Sequence, residues 1–153
     1  MATTYTTSAF NDAAVAFPTS GLHLVRVKHT LSAILDASES DVLKVCKLPK
    51  GAAIVPELCS VFPSADSGAS ANTNVLMKLT DGTTTKTILT ADFDAVTRAV
   101  PVAADYAALK FFKTSNDDFY VYLMADTDDI NTAISLYITV AYTMDTGRYE
   151  VTS

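Results

Sequence analysis

From Ala133 to Met144 the chain reads Ala-Ile-Ser-Leu-Tyr-Ile-Thr-Val-Ala-Tyr-Thr-Met, and this segment restricts the fold more than any other. Ile134, Leu136, Ile138, Val140 and Tyr142 fall on one parity; Ser135, Tyr137, Thr139, Ala141 and Thr143 fall on the other. A helix would scatter both sets around its axis, whereas a strand turns one set inward and the other to water. A period of two held this long in β-branched and aromatic residues predicts a long, half-buried strand. It is expected as the central strand of a sandwich, with Tyr137 and Thr139 facing out.

Composition points the same way. The 17 acidic residues divide into 14 Asp and 3 Glu, and Thr occurs 21 times. Asp suits turns and caps, Glu suits helices, and Thr suits the wet face of a strand. A chain of 153 residues, 49% hydrophobic and 18% charged, is globular and long enough for one domain. The formal net charge of −6 disfavours nucleic acid and anionic membranes as partners, since both need a dense positive surface. No apolar run is long enough for a transmembrane helix. Met1–Phe10 has neither the positive charge nor the apolar stretch of a secretory signal, so the protein is expected to work or be assembled in the cell that makes it.

Along the chain, residues 1–20 are rich in Thr, Ser and Ala without helical or strand periodicity, and are expected to form an extended N-terminal arm. Phe10 and Phe17 would be costly in a solvated tail, so they should pack on the chain's own body or on a neighbouring subunit. Residues 21–153 are expected to form the sandwich. Val25 and Val27 alternate with Arg26 and Lys28 in Gly21–His29, and Val42–Leu48 alternates again, with Lys44 and Cys46 opposite Leu43, Val45 and Lys47. Leu48-Pro49-Lys50-Gly51 fits a type I turn, and Pro56 predicts a bulge or an edge within Ala52–Phe62. Pro63–Asn74 is a long loop of small residues. Asp81-Gly82 predicts a two-residue hairpin between Val75–Thr80 and Thr83–Leu89. Thr90–Arg98 is compatible with helical turns ending before Pro101. Tyr106–Lys113 and Phe119–Ala125 read as another hairpin, although Ala103–Lys110 also suits a helix. About eight strands without strand–helix alternation predict an all-β, antiparallel β-sandwich, with a jelly roll the economical topology.

Signals of chemistry are weak. His23 and His29 share a parity but stand six residues apart, too far along a strand for one metal ion. Cys46 and Cys59 could meet across neighbouring strands, but without a secretion signal two buried thiols are the favoured reading. The acidic turn Asp126–Asn131 lacks the Gly and Glu of a calcium loop, having Asn131 and Tyr137 at those places. No Gly-x-Ser-x-Gly or glycine-rich phosphate loop occurs. Catalytic, cofactor-binding and metal residues are therefore not assigned, and enzyme activity finds no support. Tyr120, Tyr122 and Tyr137 share an outward parity, where aromatics serve protein interfaces or stack on sugars. With Phe10 and Phe17 they are the candidate interface residues.

Two segments carry a resemblance. Asp41-Val42-Leu43-Lys44-Val45-Cys46-Lys47-Leu48-Pro49-Lys50-Gly51-Ala52 resembles a strand–turn–strand element of the form Leu-Pro-x-Gly-Ala. The other is the acidic turn and long strand from Ala125 to Met144, with its Ala141-Tyr142 pair. Together with the Thr/Ala-rich start, they are similar to the small jelly-roll decoration, or cement, proteins of tailed-bacteriophage heads, over most of Gly21–Asp145. The resemblance implies a non-enzymatic virion protein without cofactor, assembled in the host cytoplasm. It implies binding to the major capsid protein on the capsid exterior, as a homo-oligomer such as a trimer, with no nucleic acid or membrane partner. The arm and the Pro63–Asn74 loop would be its contacts. The competing class is a carbohydrate- or receptor-binding module of a fibre or adhesin that uses the exposed tyrosines.

Overall fold

The computed structural model describes residues 1–11, 21–64, 74–92, 100–101, 107, 109, 112–126, 129–130 and 132–144. They contain strands β1 (Thr4–Thr6), β2 (Gly21–Thr30), β3 (Val42–Lys47), β4 (Ala52–Ile54), β5 (Ser60–Pro63), β6 (Asn74–Thr80), β7 (Thr85–Asp92), β8 (Tyr120–Ala125) and β9 (Ser135–Met144), and a short helix α1 (Ser8–Asn11). One sheet has the order β1-β3-β8-β6-β7; the other is β2-β9-β4, with β5 also on β9. The all-β, two-sheet architecture is thus as expected. Alternation explains the single core between the sheets: Leu43 of β3, Met77 and Leu79 of β6 and Leu123 of β8 meet Leu136, Ile138 and Val140 of β9, all fully buried.

β9 sits where its sequence predicts. Its whole length pairs with β2, from Ser135 opposite Thr30 to Met144 opposite Gly21. Its other edge takes β4 at Tyr142–Met144 and β5 at Leu136–Thr139. The expected single strand Ala52–Phe62, with a bulge or an edge at Pro56, is instead divided into β4 and β5 by a 3-10 turn, Pro56–Leu58. The turn leaves the Ala141 N–H without a strand partner, and the Cys59 sulfur accepts it at 3.4 Å. Cys59 thereby completes the ladder inside the core, and Cys46 is equally buried; both are free thiols.

Five further expectations change. β1 pairs with β3 in parallel, not antiparallel, because the arm returns along the outer edge of β3. The Met1 amine ion-pairs with Glu39, and the Thr3 N–H donates to the Asp41 carboxylate at 2.6 Å, fixing its start. Strict alternation in β3 fails at Val45, where the register slips so that Lys44 opposes Tyr122 and Lys47 opposes Tyr120. This bulge buries Val45 and Cys46 together and turns both lysines outward. The Asp81 turn is longer than two residues, since pairing resumes at Thr80–Thr85. The Asp81 carboxylate accepts the N–H groups of Thr84 (2.7 Å) and Thr83 (2.9 Å), closing a wider loop. Those bonds hold its pKa below the usual carboxylate range. Finally, β8 pairs with β3 and β6 instead of with a strand at Tyr106–Lys113, where the described Ala107 and Leu109 are helical. Thr90–Asp92 extends β7 and forms no helical turn.

Thr7 joins arm and sandwich. Its hydroxyl donates to the Val45 carbonyl at 2.6 Å, within the bulge, and accepts the Phe10 N–H at 3.3 Å as the cap of α1. Thr7→Ala removes both bonds at a fully buried position and is expected to cost about 1–2 kcal/mol in urea unfolding, with Thr7→Ser retaining most of the stability.

Candidate functional site

Among the described residues, no three His, Cys, Asp or Glu side chains converge as metal ligands would. His23 stacks on Tyr142 with ring centroids 5.1 Å apart, and burial lowers the pKa of His29. Desolvation pushes the Cys46 thiol up to about 12 and the Cys59 thiol up to about 11, so neither is a nucleophile at neutral pH. In the acidic turn, Asp129 accepts the Ala37 N–H at 2.8 Å, tying the β8–β9 connection to that between β2 and β3. No helix of the described residues is long and apolar enough to cross a membrane. The remaining features are the outer faces of the two sheets.

The five-stranded sheet carries the first aromatic group. Tyr120 and Tyr122 point outward from β8 with ring centroids 5.9 Å apart, and Phe10 of α1 stands edge-on to Tyr120 at 6.1 Å. The β3 bulge supplies the cations: Lys44 Nζ lies 4.6 Å from the Tyr120 ring centre and 5.4 Å from that of Phe10, and Lys47 Nζ lies 5.1 Å from Phe10. Lysine ammonium groups over ring faces are held by the ring quadrupole. This side is thus partly covered by the chain's own arm, and Lys44 and Lys47 are engaged within the molecule. Burial raises the pKa of Tyr122, with the Tyr120 charge as a further contribution.

The four-stranded sheet presents the second group. Tyr137 of β9 is 43% exposed and packs against Phe62 of β5, also 37% exposed, with centroids 6.3 Å apart. Lys28 of β2 reaches over the Tyr137 ring at 5.6 Å. Leu24 and Leu58 add apolar surface, both well exposed. Between them runs a shallow groove of about 580 Å³, lined by Leu24, Arg26, Leu58, Phe62, Tyr137 and Thr139 among others. A smaller depression beside it, of about 260 Å³, shares Arg26, Tyr137 and Thr139 and adds Lys28.

Of the candidates read from sequence, Phe10, Tyr120 and Tyr122 therefore form one cluster and Tyr137 belongs to the opposite side of the sandwich. Phe17 lies outside the described residues, as does nearly all of the Pro63–Asn74 loop. Tyrosines on two opposed faces do not make one stacking platform for a glycan. Leu24, Leu58 and Phe62 were missed, yet a signal existed. Leu22 and Leu24 share parity with Arg26 and Lys28, which places two leucines on the face that the charges mark as wet.

No protein-family model matches the chain, and no curated protein matches it in sequence. Solved structures do. A chain in the structure titled "Capsid of Ralstonia phage GP4" superposes with a TM-score of 0.68 at 13% identity, covering 94% of this chain and 99% of that one. The chain shares its fold with chains of phage capsids. "Cyanophage Pam1 capsid asymmetric unit" gives a TM-score of 0.53 at 15% identity, covering 88% and 96%. "Acidic stable capsid structure of Helicobacter pylori bacteriophage KHP30" gives 0.50 at 15%, covering 82% and 90%.

Proposed function

We propose that this chain is a non-enzymatic virion structural protein that binds the outside of a phage capsid lattice through the major capsid protein and stabilises it as a decoration or cement protein. The observation that carries the reading is the end-to-end likeness to a chain of a phage capsid, 94% of this chain against 99% of that one. Physical features support the decoration role within it. The sandwich closes its core inside one chain and leaves its outer faces for contacts, as suits a component added to a lattice. A net charge of −6 suits an exterior position, because it limits adhesion to packaged DNA. Modest contacts repeated over a lattice gain strength through multivalency, more so if the chain is a homo-oligomer.

The test uses shells assembled without this chain. Purified protein should co-sediment with them, saturate at a fixed ratio to the capsid subunit, and raise the temperature at which the shells open. Protein that stays in the supernatant at micromolar concentration, or binding to glycans that Tyr120→Ala or Tyr137→Ala abolishes, would remove the reading.

A further inference from the structure

The net charge hides how charge is arranged. The nine strands hold six basic residues, Arg26, Lys28, Lys44, Lys47, Lys78 and Lys86, and a single acid, Asp92, at the end of β7. The molecule is acidic in its connections and basic on its sheets. On the five-stranded sheet, Lys44 and Lys47 already face the rings of Phe10 and Tyr120. On the four-stranded sheet, Lys28 also lies over a ring, that of Tyr137, but on the groove wall, and with Arg26 it borders an exposed apolar groove whose lining contains no acid.

We infer that the groove on the outer face of the four-stranded sheet is the surface that meets the shell, and that it receives an acidic element of the shell protein. An apolar side chain of that element fills the space between Leu24, Leu58, Phe62 and Tyr137, and carboxylates beside it pair with Arg26 and Lys28. The inference deepens the proposed function and rests on it. Charge decides the occupant. Two copies of this face would set Arg26 and Lys28 against one another, so a second copy is disfavoured. An acidic surface is attracted to this face and repelled by the rest of a chain of net charge −6, which also orients the molecule as it approaches. Exposed aromatic and leucine side chains bordered by Arg and Lys have the make-up of an interface core with its polar rim.

The experiment compares two variants of equal net charge in co-sedimentation with shells lacking this chain, at low and high salt. R26E/K28E reverses the groove cations; K47E/K78E reverses two lysines of the opposite sheet. R26E/K28E is expected to weaken binding about tenfold or more and to flatten its salt dependence, and Phe62→Ser to weaken it about tenfold, while K47E/K78E stays within about twofold of the unaltered protein. Thermal unfolding of each variant separates lost docking from lost fold. Unchanged binding by R26E/K28E, or an equal loss in both double variants, overturns the inference and leaves the proposed function standing. A self-associated form in sedimentation velocity that R26E/K28E dissolves identifies a second copy as the occupant and also overturns it. Unaltered protein that does not bind shells removes the proposed function and this inference with it.

Discussion

Phe119→Ala is expected to lower stability by about 3–5 kcal/mol, reducing the melting temperature by about 10 °C or more. Phe119 is fully buried at the entry to β8 and stands edge-on to Phe112, with ring centroids 5.7 Å apart. Its carbonyl accepts the Leu48 N–H at 2.9 Å, so the ring lies at the junction of β8 and the end of β3. Beside it, buried Thr114 donates its hydroxyl to the Pro49 carbonyl at 2.6 Å and accepts the Ala52 N–H at 2.9 Å. Truncation opens a cavity at a fully buried position against Phe112. Phe119→Leu fills most of the space and should lose less than half as much. Equal unfolding midpoints in urea for Phe119→Ala and the unaltered protein would show that the site repacks freely.

The second large effect is alkaline. Desolvation is the main reason that the Cys46 thiol is pushed up to about 12 and the Cys59 thiol up to about 11, above the ordinary range for cysteine. A raised folded-state pKa means that the unfolded chain releases its protons first. The stabilisation is therefore complete below about pH 9 and is lost as pH rises through 9 towards the folded values. By about pH 10.5 the two thiols together should cost on the order of a few kcal/mol, a sizeable part of a typical domain's stability. Burial of Tyr142 raises its pKa as well, with the Cys46 charge as a lesser cause, and acts in the same direction. Urea unfolding from pH 8 to 10.5 should fall steeply for the unaltered protein and less steeply for C46A/C59A. Parallel slopes would show that the thiols do not control the loss. At pH 8 the native thiols should also resist iodoacetamide until urea exposes them.

These two effects involve residues whose importance was only partly readable beforehand. β9 was legible almost to the residue, because each side chain from Ile134 to Met144 has one environment and alternation records it; Ala141 alone departs, buried by the strands beside it. An irregularity at Pro56 was legible because proline cannot continue the ladder, but the division into two strands by a 3-10 turn was not. The bulge at Val45 was not, since Val-Cys is as apolar as any alternating pair and the slip depends on Thr7, far away in the chain, satisfying the Val45 carbonyl. The same distance hid the parallel pairing of β1. The hairpin at Asp81-Gly82 was located correctly but given the wrong length, because the Asp81 carboxylate takes the N–H groups of Thr83 and Thr84. At the candidate site, parity showed that Tyr120, Tyr122 and Tyr137 face outward. Which sheet each belongs to is a matter of strand order, and that is decided by contacts between distant segments.

The position of β9 also governs when the proposed docking face can come into being. Among the described residues, β2, β4 and β5 do not pair with one another, and each joins the four-stranded sheet through β9. The contact between Thr30 and Ser135, for example, spans 105 residues. Loop closure over such separations is slow and gains nothing until the last partner arrives. During synthesis, the five-stranded sheet can assemble as soon as β8 has emerged, while the other half of the sandwich waits for Ser135–Met144. Unfinished or truncated chains thus lack the groove altogether, and only molecules made through β9 can present it.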